Sequence, residues 1–415
     1  MRPLSRRQLL ARGMAVAGAS ALRPGVAHAA GPDRKFIFFY AGGGWDTTTV
    51  FDPHFGSDGV DMDVLTELGG AGNLQWTAGT DRPSVSRFFQ RWGGRAAIVN
   101  GIDAHSVGHD SGMQFVMTGT SASSFSDWPT ILAANGRAEY PLPHVVFSGP
   151  SYAGTRGSTV VRAGGGTLLN LIDGSINGAA DQPAPLPAQP ADSMVDAYVW
   201  ERVAAFAAAR SGLGRARAEG LYTNLTRAME LEGRRFEAGL SDLGQSMLEQ
   251  AIKASELMRL GLSRCAMIGI DGGFDTHAGN NQQAVMQEAF FLALDELFDH
   301  LSSTPGNSAT WLIDEVVVVA LSDFGRTPLL NGGNGKDHWP FGSALIAGSG
   351  VAGNRVVGRT DDGLSSVPID FASGVESASG DLLGCEHLGT AILRIGGLDP
   401  ADYLPDVQVL EAVVG

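Results

Sequence analysis

Glu315 to Leu321, EVVVVAL, runs directly into Ser322 to Pro328, SDFGRTP. A short continuous apolar run closed by a polar loop reads as a strand buried on both faces. Lys35 to Ala41, KFIFFYA, repeats the pattern, as do Ala96 to Asn100, AAIVN, and Cys265 to Ile270, CAMIGI. His144 to Phe147 is a weaker strand, and Gly342 to Ala347 is another. Asn281 to Ser302 has the spacing of a long amphipathic helix, and residues 193–262 read as almost all helical. Strands buried on both faces, alternating with helices, predict an α/β fold. Its mainly parallel central sheet is flanked by helices on both faces, with a helical insertion around 193–262. Ligands in such sheets bind beyond the carboxyl ends of the strands.

Those ends carry the informative polar residues. Gly42-Gly43-Gly44-Trp45-Asp46 follows the first strand. Gly101-Ile102-Asp103-Ala104-His105 follows the second, with His109 four residues later. Asp271-Gly272-Gly273-Phe274-Asp275-Thr276-His277 follows CAMIGI, and Asp323, Phe324 and Arg326 follow EVVVVAL. Gly335-Lys336-Asp337-His338-Trp339-Pro340 lies in a later loop. Carboxylates and imidazoles gathered at one sheet edge repel and desolvate one another unless a cation joins them. A divalent ion that accepts oxygen and imidazole together, Zn or Mn, suits the set. His105 and His109, four apart, either share one helix face or are surface residues. His54, His144, His300 and His387 stand apart from such company and read as structural.

The chain of 415 residues carries a net charge of −15. This excess of acid argues against nucleic acid or anionic lipid as a partner. Any anionic substrate then needs a local positive site, which a metal provides. With only two cysteines, Cys265 and Cys385, one disulfide is possible and a Cys-rich zinc site is excluded. Ala179 to Asp192, AADQPAPLPAQPAD, reads as an exposed Pro/Ala-rich loop.

The N-terminus begins MRPLSRRQLLAR, and Ser5-Arg6-Arg7-Gln8-Leu9-Leu10 resembles the twin-arginine export consensus. Gly13 to Leu22 is apolar but shorter than the about 20 residues of a membrane span. Ala27-His28-Ala29 is a small-x-small cleavage site. Residues 1–29 are therefore expected to be a signal peptide that engages the twin-arginine export machinery. Removing these 29 residues from 415 leaves 386 for residues 30–415, a periplasmic or secreted domain without a membrane span. The leader holds five Arg and no acid, so the mature charge falls from −15 to −20.

Leu321 to Asp361, with SDFGRTP, GKDHW and GRTD, resembles the C-terminal half of the family called domain of unknown function 1501. Gly272 to His277 and Gly43-Gly44-Trp45-Asp46 fit the same family, and the resemblance covers most of the mature chain. It implies an alkaline-phosphatase-like fold, shared with sulfatases and phosphodiesterases, and chemistry on a small phosphate or sulfate ester. It also implies one or two metal ions. One site would take Asp275, His277 and His338. The other would take Asp46 and Asp323, but Phe324 stands where the superfamily places a His. The superfamily nucleophile falls on His109, about nine residues before Thr118-Gly119. Three readings stand: His109 is a ligand replacing the missing His, His109 is itself the nucleophile, or Ser111 is. Arg326 either clamps an anionic oxygen or pairs with a nearby Asp. Two functions follow: an exported metal-dependent ester hydrolase, or a metal-binding, non-catalytic protein on the same fold.

The leader reading has a direct test. Replacing Arg6-Arg7 by Lys-Lys should strand a folded, metal-containing precursor inside the cell. Cell fractionation with metal analysis of the retained precursor checks this, and an unfolded or metal-free precursor contradicts it.

Overall fold

The computed structural model describes residues 33–136, 140–163, 189–234 and 244–415. The leader, residues 1–29, and positions 179–188 of the expected loop lie outside the described residues. The strands are β1 (Lys35–Ala41), β2 (Thr66–Ala71), β3 (Leu74–Gly79), β4 (Ala96–Asp103), β5 (His144–Val146) and β6 (Val160–Arg162). They continue with β7 (Cys265–Gly269), β8 (Val316–Ser322), β9 (Gly325–Arg326), β10 (His338–Trp339), β11 (Phe341–Gly348) and β12 (Arg355–Val357). The helices are α1 (Pro83–Trp92), α2 (His109–Thr118), α3 (Trp128–Ala134), α4 (Gln189–Ala208) and α5 (Gly212–Arg234). Three more follow: α6 (Met247–Arg259), α7 (Gln282–Ser303) and α8 (Cys385–Ile395).

Eight strands form the central sheet in the order β12-β4-β11-β8-β1-β7-β5-β6. β1 runs parallel to both neighbours, with Phe38 opposite Met267 of β7 and Val319 of β8. Only β11 is antiparallel to the strands beside it, β4 and β8. The sheet is therefore mostly parallel, as the apolar runs predict. All seven residues of β1 and of β8 are buried. Side chains alternate across a strand, so the two faces of β1 meet different helices. Phe36, Phe38 and Tyr40 join one apolar cluster with Ile131 and Leu132 of α3 and Leu388 and Ile392 of α8. Phe39, on the opposite face, meets Phe290 of α7 at 5.6 Å. Behind it Phe88 of α1 packs on Phe291 at 5.5 Å.

The segment 193–262 divides differently from its reading as one insertion. Chain contacts separate residues 166–237 from the larger unit of 31–165 and 238–415. The described part of the smaller unit is the α4–α5 pair, where Trp200 meets Tyr222 edge-on at 4.6 Å. Residues 189–192, read as loop, are the first turn of α4. Helix α6 belongs to the larger unit and starts at a capping box of Ser246 and Glu249. The sequence patterns also passed over the β2–β3 hairpin, whose strands TELGGA and LQWTAG lack a strong apolar alternation. Cys265 and Cys385 are both buried free thiols, so the possible disulfide is not formed.

One buried ion pair anchors the start of β1 to the start of β8. Lys35 Nζ lies 2.5 Å from Glu315 Oε2, and the two side chains are 3% and 0% exposed. Glu315 also accepts from the amides of Ser308 and Ala309. Burial works to raise the Glu315 carboxyl, but the hydrogen bond from Lys35 and these amides lower its pKa. Lys35→Met would leave that carboxylate buried beside an apolar chain. It should cost about 3–5 kcal/mol, read as a lower urea midpoint; an unchanged midpoint would show the pair to be dispensable.

Candidate metal centre

The carboxyl ends of β1, β4, β7 and β8 deliver the site. His109 is the first residue of α2, in the connection that follows β4. Asp275 and His277 lie in the loop after β7. His338 is in β10, which pairs with β9 so that His338 sits opposite Arg326. Gly43, at φ +108°, lets the β1 loop lie against the β7 loop, where a Cβ would come within 2.5 Å of the Asp275 amide nitrogen.

Each of the three imidazoles is oriented by a group that can only accept. His109 Nδ1 lies 2.5 Å from Asp323 Oδ2. His277 Nδ1 lies 2.8 Å from Asp337 Oδ1. His338 Nδ1 lies 2.7 Å from the Val107 carbonyl oxygen. A carboxylate or carbonyl offers no proton, so Nδ1 is the donor in each ring, and a neutral ring then presents a bare lone pair at Nε2. These Nε2 atoms converge on one carboxylate. His277 Nε2 and His338 Nε2 are 3.0 Å apart, and each is 3.1 Å from Asp275 Oδ1. His109 Nε2 lies 3.4 Å from Asp275 Oδ2 and is buried with no hydrogen-bond partner. The ligand atoms of His109, Asp275 and His338 all fall within 4.8 Å of one another.

Three imidazole nitrogens and a carboxylate form a donor set suited to a tetrahedral ion such as zinc. The carboxylates behind His109 and His277 complete the carboxylate–histidine arrangement found behind metal ligands. The set therefore fits a divalent metal, and the orphaned His109 nitrogen is the observation that tests the fit. Asp275 is ready to bind. Burial acts to raise its carboxyl, but the hydrogen bond from Arg326 and the charge of that guanidinium hold it below the usual carboxylate range.

The other candidates fall elsewhere. Asp46, expected as a ligand, caps the turn Thr47–Thr49 and is 1% exposed. Its carboxylate takes Lys336 Nζ at 2.9 Å, Asn280 Nδ2 at 2.7 Å, and the Thr48 amide and hydroxyl. No lone pair is left for a metal. Asp323, expected as a ligand, lies behind the His109 ring: besides His109 it accepts from the Gly44 amide at 2.5 Å and the Gly43 amide at 3.4 Å. Arg326, read as an anion clamp or an ion pair, is the second. It is fully buried, with Nη2 2.6 Å from Asp275 Oδ1 and its other donors on the carbonyls of Gly43, Gly44 and Lys336. Ser111 Oγ bonds to Ser106 Oγ and the Gly108 carbonyl, so it is turned to the loop rather than to the centre. Phe324 lies against His109 and His338, with ring centres 4.9 and 4.6 Å away, and walls the site.

His105 and His109 do not share a helix face. His105 precedes α2 at φ +54°, with Nε2 2.8 Å from Glu386 and Nδ1 3.4 Å from Asp103. It also gathers with Cys385 and Glu386. Hydrogen bonds to Asp103, Cys385 and Glu386 push its pKa up to about 12. A proton therefore joins these groups.

Asp337, Val107 and Lys336 are the members that sequence reasoning passed over. Asp337 adjoins His338 yet supports His277, a pairing that chain order does not display. A cavity of about 290 Å³ opens beside the cluster, lined by Tyr40, Gly42, Gly43, His109, Met113, Asp275 and Asp323.

The cluster predicts a graded response. His338→Ala should abolish stoichiometric zinc binding, and Asp337→Ala, which removes only an orienting group, should weaken it about 10-fold or more. Competition titration against a chromophoric chelator checks both; wild-type affinity in His338→Ala would sink the centre.

Residues 33–370 match the model of the family described as a protein of unknown function, DUF1501, and the chain belongs to that family. Among solved structures it is similar to the lipoteichoic acid synthase LtaP from Listeria monocytogenes. That match has 9% identity over 97% of this chain and 82% of the other, with a TM-score of 0.39. It is also similar to a protein in the alkaline phosphatase superfamily from Vibrio parahaemolyticus. There the identity is 12% over 95% of this chain and 76% of the other, with a TM-score of 0.35. No curated protein matches the chain.

Proposed function

We propose that this DUF1501 member is a metal-dependent hydrolase of phosphate or sulfate esters in which water, not a side chain, is the attacking group. One observation carries the reading: three Nε2 atoms, each on a ring whose Nδ1 faces an acceptor, gather on the Asp275 carboxylate. When bound, a divalent ion supplies a lowered pKa for a coordinated water and polarisation of the ester oxygen. The chain's own residues do the rest. His109, Asp275, His277 and His338 hold the ion, while Asp323, Asp337 and the Val107 carbonyl keep each ring's lone pair aimed inward. Phe324 shields one side from water. The cavity beside His109 and Asp275 receives the ester.

A second reading is a metal-binding protein without catalysis. It is favoured by the position of Ser111, two residues after His109, which is tied to Ser106 and Gly108. Export by the twin-arginine route to the periplasm or beyond belongs to the same proposal. The ligands come from three separate segments and meet only in the folded chain, so a route that carries folded proteins lets the ion be acquired before export. No helix of the described residues is long and apolar enough to cross a membrane.

The metal-loaded chain should turn over at least one of p-nitrophenyl phosphate, bis(p-nitrophenyl) phosphate and p-nitrophenyl sulfate. Chelation should abolish that turnover, and Ser111→Ala should retain it within about threefold, since Ser111 does not reach the centre. A metallated protein inert on all three esters selects the second reading, and a chain that binds no metal removes both.

A further inference from the structure

We infer that Tyr40 is a substrate-contacting residue, its hydroxyl donating a hydrogen bond to a tetrahedral oxyanion held at the metal centre. This rests on the metal-centre reading above and adds the group that binds the far side of the substrate.

The first observation is position. Tyr40 is the penultimate residue of β1, is only 7% exposed, and lines the same cavity as His109, Asp275 and Asp323. The second is its hydroxyl: the residue is mostly buried, but the oxygen is open to the cavity, and among the described residues none hydrogen-bonds it. A hydroxyl that faces a cavity with no protein partner is free to donate to whatever enters it. The neighbours of Tyr40 show which role it fits. Burial first, then the charges of Asp323, Tyr152 and Asp110, push the phenol well above its ordinary value. It therefore stays protonated and neutral, a donor.

The third observation is the want of any other donor. No Lys or Arg side chain lines the cavity. The two cations nearest in the fold are spent: Arg326 on Asp275 and three carbonyls, Lys336 on Asp46 and Thr48. The amides of Gly43 and Gly44, which would otherwise form an anion cradle after β1, point at Asp323. An oxyanion whose one oxygen meets the ion thus finds, on the cavity wall, a phenol. Met113 supplies apolar wall to the same cavity.

The test uses full-length, metal-loaded protein and inorganic phosphate as the probe, with affinity measured by calorimetric titration. Tyr40→Phe removes one oxygen and keeps the ring in place. Its melting temperature and bound metal should match the wild type, while its phosphate affinity should fall about 10-fold or more, as for a lost hydrogen bond to a charged group. Metal-free wild type should bind no phosphate. Wild-type phosphate affinity in metal-loaded Tyr40→Phe overturns the role of Tyr40 and leaves the metal centre standing. A Tyr40→Phe chain that loses its fold or its metal makes the hydroxyl structural, and overturns the role as well. Wild type that binds no metal overturns both readings together, and wild type that binds metal but not phosphate overturns the role of Tyr40 alone.

Discussion

The site rests on a conflict between lone pairs. His109, His277 and His338 each spend their one ring hydrogen on an acceptor outside the cluster. What they turn inward, together with Asp275, accepts only. Three ring nitrogens and the two Asp275 oxygens, in pairs at 3.0 to 3.4 Å, are a ready donor set for a cation. Around this the loops after β1, β7 and β8 are arranged: Asp323 grips His109 and the β1 amides at once, and Arg326 grips Asp275 and the β1 carbonyls.

The same edge of the sheet shows two other ways of settling charge. At His105 a proton does it, because two carboxylates, Asp103 and Glu386, flank one ring. At Asp46 a lysine does it, with Lys336 fully buried against it. A carboxylate near a strand end is thus common to all three places. The distinguishing feature of the His109 cluster is that three rings turn Nε2 toward one carboxylate, which Arg326 also grips.

Much of the scaffold was legible. KFIFFYA, CAMIGI and EVVVVAL are buried on both faces, so their apolar runs show no competing pattern and their limits fall within a residue or so of β1, β7 and β8. The hairpin β2–β3 was illegible because its glycine-rich strands lean on the rest of the fold, as where the Trp76 indole packs on Phe89. Residues 189–192 misled for a different reason: Pro190 sits within the first turn of α4, where its missing N–H costs little. At the site, Asp275, His277, His338 and His109 were each nameable from chemistry and position. Asp46 and Asp323 were equally nameable, and residue type did not separate them from the ligands.

By itself the sequence determined the layered α/β plan and the list of acids and imidazoles delivered to one sheet edge, because both follow from local pattern and strand polarity. Only the tertiary structure decided which of them face each other bare. That choice depends on partners far away in the chain: Lys336 for Asp46, Asp323 for His109, Asp337 for His277. A carboxylate's role is set by how many of its lone pairs are already taken, and that number exists only once the loops have met.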